Sequence, residues 1–431
     1  MRFAPLVLAL FALTQCTPRE PTSVGSSQAP RPTAPVVAAA TPPTAPLPAP
    51  AAAVETKHTI GAPIQLGRLA IYPVVQPLAS QRDPGPLMLL DDALAKGLAE
   101  VREVGNDAVG QAPVPANEVV ERPRAIGGRG NRADLDNQVN QDHQNNQRNS
   151  LDNRDMQQEY QQIQGRSAGA VVNTLVIENK SDTPIFVLAG TVVKGGKQDR
   201  QIGQDFVVDA RQTTPVDAFC VEQGRWDTNR DGAATEGKFS AVAALATSKV
   251  RAAGQYEKNQ QAVWDNVAVV NGAHEKSAGS GTLLATFDDP TIKAKLNELS
   301  KAIIESLESK TNPHELIGLA WAIDGRVQGV RYFAHHRVYE LVADKLASAV
   351  AVDTLTAEAA GPAEAGAATP GPVEVFRFID EVEVGEAELR ATSGANDNIY
   401  RESKRAWGSK TVLKAKAGKA DLPLAYDFVS K

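Results

Sequence analysis

The sequence predicts an α+β fold, on three observations. Strand-like segments cluster in residues 171–220. Helix-spaced apolar residues then dominate up to about residue 310, and a hairpin signal follows at 316–333. Strands and helices that come in blocks favour α+β over alternating α/β.

Taken in order, Ile60 to Val75 is apolar and β-prone, with Pro73 limiting one strand. Leu90, Leu94, Leu98 and Val101 share one helical face, with Asp91 and Asp92 in the first turn, so 87–101 reads as helix. VVNTLVIE (171–178) and PIFVLAG (184–190) read as strands separated by the turn-forming residues 179–183. QDFVVDA and TTPVDAFCVE follow as strands. Phe239, Val242, Leu245 and Ala246 mark a helix, and Tyr256, Val263, Trp264 and Val267 another. Asp289-Pro290 caps a third, with Ile292, Leu296, Leu299 and Ile303 on its inner face. LIGLAWAI and RVQGVRYF flank Asp324-Gly325, a pair suited to the type I′ turn between adjacent strands. His335 to Val350 returns to helix. The tail from 372 is ambiguous until two apparent strands, TVLKAKA and LPLAYDF.

The body has an address and a tether in front of it. Arg2 and the apolar run Leu6 to Leu13 form a signal peptide over residues 1–15. Cys16 closes that run directly, as in a bacterial lipobox, although Gln15 stands where Gly, Ala or Ser is usual. The expectation is a lipidated Cys16 that anchors the chain to the cell envelope; secretion without an anchor is the alternative. Thr17, not Asp, follows the cysteine, which favours the outer membrane. Residues 16–56 are a Pro/Ala-rich linker with ten prolines and no means of building a core. Residues 57–431 read as a single domain, interrupted by an Asn/Gln-rich insertion at about 106–167 and an Ala/Gly/Pro linker at about 357–371. Fifteen of the 29 residues from Asp136 to Gln164 are Asn or Gln, so disorder is expected there.

Composition excludes several classes. The net charge is −6 with no basic block, which argues against nucleic-acid binding. No run of eighteen apolar residues provides a spanning helix. Two cysteines cannot form a disulfide framework.

Candidate chemistry concentrates between residues 194 and 231. In Lys194-Gly195-Gly196-Lys197-Gln198-Asp199-Arg200, glycines let backbone N–H groups approach an anion, and Lys197 and Arg200 add charge. The Walker spacing is absent. Glu222, Arg225 and Trp226 either line a pocket or form an internal salt-bridge network. Cys220 reads as a small buried residue, or as a nucleophile if a cation lowers its pKa. Asp227, Asn229 and Asp231 match the start of a calcium loop, but Lys238 stands where the closing Glu belongs; the alternative is a polar turn. His314, His335 and His336 lack metal-ligand spacing.

Several blocks in order resemble the prokaryotic "ARG and Rhodanese-Phosphatase-superfamily-associated Protein" domain family. They are the Asn-Lys-Ser-Asp-x-Pro turn, Gly-Gly-Lys-Gln-Asp-Arg, Cys-Val-Glu-Gln-Gly-Arg-Trp, Gln261 to Asp265 and the WAIDGRVQG hairpin. The resemblance covers most of 60–350 and, more weakly, the tail. It implies a fold and, through the ADP-ribosylglycohydrolases and phosphatases in the family's name, a nucleotide-related ligand; it implies no catalytic residues.

The reading that results is a membrane-anchored extracytoplasmic domain that binds a ligand or an envelope partner. One alternative is an enzyme acting on a phosphate- or nucleotide-containing substrate through Lys197, Arg200, Glu222, Arg225 and Cys220. Another is a structural envelope protein.

Overall fold

The computed structural model describes residues 58–103, 173–276, 278–362, 367–415 and 420–431. The expected signal peptide, Cys16, the Pro/Ala-rich linker and the Asn/Gln-rich insertion lie outside the described residues.

The chain opens with β1 (Thr59–Ile60), β2 (Ile64–Leu66), β3 (Leu69–Val75), β4 (Met88–Leu89), α1 (Leu90–Ala95) and β5 (Ala99–Glu103). It continues through β6 (Thr174–Asn179), β7 (Ile185–Val187), β8 (Thr191–Gly195), β9 (Arg200–Ile202), β10 (Phe206–Val208) and β11 (Thr213–Cys220). A ribbon, β12 (Asn229–Arg230) and β13 (Ala233–Ala234), precedes β14 (Lys238–Leu245). Four helices follow: α2 (Ser248–Gln255), α3 (Gln260–Ala273), α4 (Leu284–Phe287) and α5 (Pro290–Lys310). The hairpin β15 (Leu316–Ile323) and β16 (Arg326–Phe333) leads into α6 (His336–Ala359) and α7 (Pro372–Glu383). The chain ends in β17 (Glu388–Ala391), β18 (Asn396–Glu402), β19 (Ala406–Leu413) and β20 (Leu422–Ser430). The fold is α+β.

Two β systems dominate. One is a closed barrel in the order β11-β6-β5-β14-β8-β9. The other is a nine-stranded antiparallel sheet, β1-β3-β15-β16-β20-β19-β18-β17, with β2 also on β3. The sheet is covered on both faces. Leu69 and Ile71 of β3 join the core that contains Val338, Val342, Leu346 and Val350 of α6. Ala70, Tyr72 and Val74 join the opposite core with Val375, Phe378, Ile379 and Val382 of α7. Alternation along β3 thus divides one strand between two cores. Every residue of β15 is buried, which explains why LIGLAWAI is continuously apolar rather than alternating. Its turn is as predicted: Ile323 pairs with Arg326, and Asp324 and Gly325 both take positive φ, 50° and 73°.

Two expectations need correction. Phe239 to Ala246 is not helical, because Lys238–Leu245 forms β14 between β5 and β8. Residues 87–101 are helical only from Leu90 to Ala95; Gly97 takes φ 67°, and the chain then leaves as β5. α6 runs to Ala359, at the start of the expected linker.

One loop locks the two β systems together. Asp205, between β9 and β10, is 2% exposed. Its Oδ1 accepts from Ala189 N–H and from Arg331 of β16, both at 2.7 Å. Its Oδ2 accepts from Thr411 of β19 at 2.9 Å. Its backbone carbonyl accepts from Asn396 and Asn398 of β18 at 3.0 and 2.9 Å.

β5 and β6 are antiparallel neighbours, paired from Ala99 with Asn179 to Glu103 with Leu175. The described chain therefore leaves β5 at Glu103 and returns in β6 as its antiparallel neighbour. Replacing 105–172 by a four-residue Gly/Asn turn should leave the barrel folded. Loop-closure entropy would raise stability by about 2 kcal/mol. A urea titration checks this; loss of the cooperative transition would show that those residues carry part of the fold.

Candidate functional site

The residues singled out between 194 and 231 come together at one end of the barrel, mainly as an internal ionic network. Gly195 takes φ 140°, and a Cβ there would lie 2.4 Å from the Lys238 carbonyl oxygen, so close backbone approach requires glycine. The N–H groups expected to cradle an anion face the chain's own acceptors. Gly195 N–H donates to Asp199 Oδ1 at 3.1 Å, and Lys197 N–H to Glu103 Oε1 at 2.8 Å. Gly196 N–H donates to the Lys238 carbonyl at 3.0 Å.

Asp199 and Glu222 are fully buried and joined by an N–H of Asp199 to Glu222 Oε2 at 2.9 Å. Arg225 Nε donates to Glu222 Oε2 at 3.0 Å, and its Nη atoms donate to the carbonyls of Gly195, Gly196 and Asp227. Arg230 donates to Asp199 Oδ2 at 2.9 Å, and Thr282 to the same oxygen at 2.8 Å. Burial, reinforced by Glu222, pushes the Asp199 carboxyl up. Burial also pushes Glu222 up, but hydrogen bonds from Arg225, Ser280 and the Asp199 N–H outweigh it and hold the carboxyl low.

The remaining predicted residues lie around this network. Lys197 is exposed. Arg200 is buried, donates to Gln198 Oε1 at 3.0 Å and lies 3.9 Å from the Glu103 carboxylate. Trp226 points outward and is 48% exposed. Asp227 accepts from the Asn229 backbone N–H and side chain at 2.9 and 3.1 Å, closing the turn into β12. Asp231 pairs with Lys194 at 2.8 Å and Arg230 at 3.3 Å. Among the described residues no three His, Cys, Asp or Glu side chains converge as a metal site. Cys220 is buried, with its backbone N–H and carbonyl clamped by the Gln260 side-chain amide at 2.9 and 2.8 Å.

Sequence reasoning missed a second place, a cleft of about 460 Å³. It lies where the N-terminus of α2 meets the C-terminal half of α6 and the turns of β2–β3 and β15–β16. Asp353 of α6 accepts from Ser248 N–H at 2.9 Å and from the Ser248 hydroxyl. Burial pushes the Asp353 carboxyl up, against the pull of Ser248, Arg251 and Lys249. Arg68 Nε donates to Asp324 Oδ1 at 2.8 Å, and its Nη1 to the Ala357 carbonyl at 3.0 Å, so it ties the hairpin turn to α6. Lys249, Arg326 and the exposed Val269 complete the rim. The lining comes from segments hundreds of residues apart, and no local motif announces it.

A second polar cluster lies deeper. Arg251 of α2 meets Asp427 of β20, and Tyr256 donates to Asp427 Oδ2 at 3.0 Å. A sequence signal existed here. Arg331 and Asp427 are single charges inside the apolar strands GVRYF and LAYDF.

Barrel, covered sheet and cleft define an α+β domain with two buried ionic centres. Residues 139–421 match the profile of the ARG and Rhodanese-Phosphatase-superfamily-associated Protein domain, and the chain belongs to that family. The match reaches further into the tail than the quoted blocks do, and it begins after β1–β3, which belong to the nine-stranded sheet, and β5, which belongs to the barrel. Neither a curated protein nor a solved structure matches the chain.

Arg225→Ala should lower the unfolding free energy by about 3 kcal/mol, because it leaves buried carboxylates uncompensated. Lys197→Ala should change it by less than about 0.5 kcal/mol. Urea unfolding of both variants distinguishes a structural network from an exposed binding loop. Because Glu222 is held low, its contribution is present above the ordinary carboxyl range and fades as pH falls through its folded value. Asp199, held high, works in the opposite sense. Glu222→Gln should therefore flatten the acid limb of stability against pH.

Proposed function

We propose that the chain is a lipid-anchored extracytoplasmic domain that binds a small ligand in the cleft between α2, α6 and the β15–β16 turn. The anchor reading is supported by the charged start, short apolar run and Cys16 of the leader. It places the domain at the cell envelope, on the outer membrane where the cell has one. Among the described residues no helix is long and apolar enough to cross a membrane.

The binding reading is carried by the cleft itself. Its volume of about 460 Å³ falls in the range of small-molecule sites. Polar groups from several elements converge there beside Val269, Val270 and Ile323. Three cations, Arg68, Lys249 and Arg326, stand against two carboxylates, Asp324 and Asp353, a balance suited to a ligand with an anionic group. The Ser248 hydroxyl on Asp353 favours a second reading, an enzyme acting on an anionic substrate, with Asp353 receiving the serine proton.

Two experiments test this. Cys16→Ala should move the chain from the membrane to the soluble fraction and abolish labelling with a palmitate analogue. Persistent labelling rejects the anchor. In a thermal-shift panel of inorganic phosphate, nucleotides, NAD and ADP-ribose, a bound ligand at a hundred times its Kd adds about 2.7 kcal/mol. That gain should disappear in Arg326→Ala and persist in Lys197→Ala. The opposite pattern would move the site to the barrel end.

A further inference from the structure

We propose that the N-terminus of α6 is an acid-sensitive latch, in which protonation of His335 releases the segment 76–83 from the helix. Three stretches of chain meet there: 76–83 after β3, 312–315 before β15, and 335–337 at the start of α6.

Gln81 is the hub. Its Nε2 donates to the carbonyls of Gln76 and His314 at 2.8 and 2.7 Å. Its Oε1 accepts from His336 N–H at 2.8 Å, with His336 Nδ1 at 3.2 Å. Arg82 N–H donates to the Ala334 carbonyl at 3.0 Å, and Gln76 N–H to the Glu315 carbonyl at 2.8 Å. The segment is thus tied to the last residues before α6 and to the loop that precedes β15.

His335 is the N-cap of α6. Its Nδ1 accepts from Arg337 N–H at 3.2 Å, which requires that nitrogen to be unprotonated. His335 is 6% exposed. The ring centroids of His335 and His336 are 4.4 Å apart, and those of His336 and His314 are 5.2 Å apart.

The charged groups facing these rings are mixed. Arg337 and Asp83 face His335, and Arg337 is itself paired with Asp83 at 3.1 Å. His335, His314, Arg337 and Glu340 face His336. Glu315 enters through its backbone carbonyl. A proton on His335 adds a cation beside the His336 ring, at the positive end of a 24-residue helix. It also turns the capping acceptor into a donor aimed at another donor.

The sign follows. Burial holds His335 below the ordinary histidine value against the pull of Asp83, with Arg337 adding a smaller push, and burial, the neighbouring rings and Arg337 hold His336 low against the pull of Glu340. The folded corner therefore binds fewer protons than the unfolded one once pH falls below about 6.5. Its stability is complete above that value and declines as pH drops toward the folded values.

Hydrogen exchange on the full chain tests the latch. Protection factors, corrected for the intrinsic pH dependence of exchange, are compared at about pH 7.5 and about pH 5.5. Residues 76–83 and 335–340 should lose about tenfold or more in protection, while β15 and β16 keep theirs. His335→Asn supplies a cap that does not titrate and should retain protection at the lower pH. Unchanged protection in the native chain, or an equal loss in His335→Asn, overturns the latch. Should His335→Asn lack native exchange in β15 at neutral pH, the His335 ring titration in the native chain decides. A midpoint below about 6.5 that coincides with the loss of protection supports the latch, and one at or above that value overturns it.

Discussion

The rest of the structure depends on the buried contact between Asp205 and Arg331. Both side chains are nearly inaccessible, and each would destabilise the fold severely if left alone. Together they are held by Ala189 N–H, Thr411, Asn396 and Asn398, so the lone pairs of Asp205 are engaged from three directions. The partners belong to the barrel side and to β16, β18 and β19 of the sheet. A nonpolar contact would hold these layers together over a range of offsets. The directional contacts of one residue, through its carboxylate to Ala189, β16 and β19 and through its backbone carbonyl to β18, specify their register, since every partner must arrive at hydrogen-bond distance at once. The second pair, Arg251 with Asp427, repeats the device one strand away. The four charges are close enough to interact, with Arg331 helping to hold Asp427 ionised.

This arrangement explains what was legible in the sequence. Segments whose environment is uniform could be read. β15 is apolar throughout because both faces are covered, α5 starts at Asp289 because its carboxylate accepts from Thr291 and Ile292 N–H, and the hairpin turns at Asp324-Gly325 because both residues adopt positive φ. Segments with mixed environments misled. β14 shifts register between Ala241 and Leu245, so its alternation is broken and its apolar residues fall at helix-like spacing. The Leu90–Val101 face runs across two elements divided at Gly97. The segment of β18 reads as ambiguous because Asn396 and Asn398 stand where apolar residues are expected on its inner face. They are buried and donate to the Asp205 carbonyl. Their polarity serves the seam rather than solvent.

The candidate site divides in the same way. The Lys197–Asp231 stretch was conspicuous because it concentrates charge and glycine, and those features are real. Their partners are largely internal: Arg225 neutralises Glu222 and reaches Asp199, and the loop N–H groups meet Asp199, Lys238 and Glu103. Sequence shows that a loop can hold an anion. It does not show that the anion is a carboxylate of the same chain. The cleft had no local signature because Arg68, Ser248, Arg326 and Asp353 are brought together only by the tertiary fold.

Cleft and seam are connected through α2. Eight residues are too few for a helix to be stable alone. Its first turn is fixed by Asp353, its middle by Arg251 on Asp427, and its end by Gln255, whose amide donates to Ser409 at 3.1 Å. The barrel holds its other side: Gln201 donates to the Val250 carbonyl at 2.8 Å, and a Cβ on Gly254 would lie 2.9 Å from that same amide nitrogen. The rim of the cleft at Ser248 is thus one end of a strut whose length is held by interior charge. A change at Arg251 or Asp427 would reach the cleft without touching it, because nothing intrinsic to eight residues would keep Ser248 in place once the middle of the helix lost its partner.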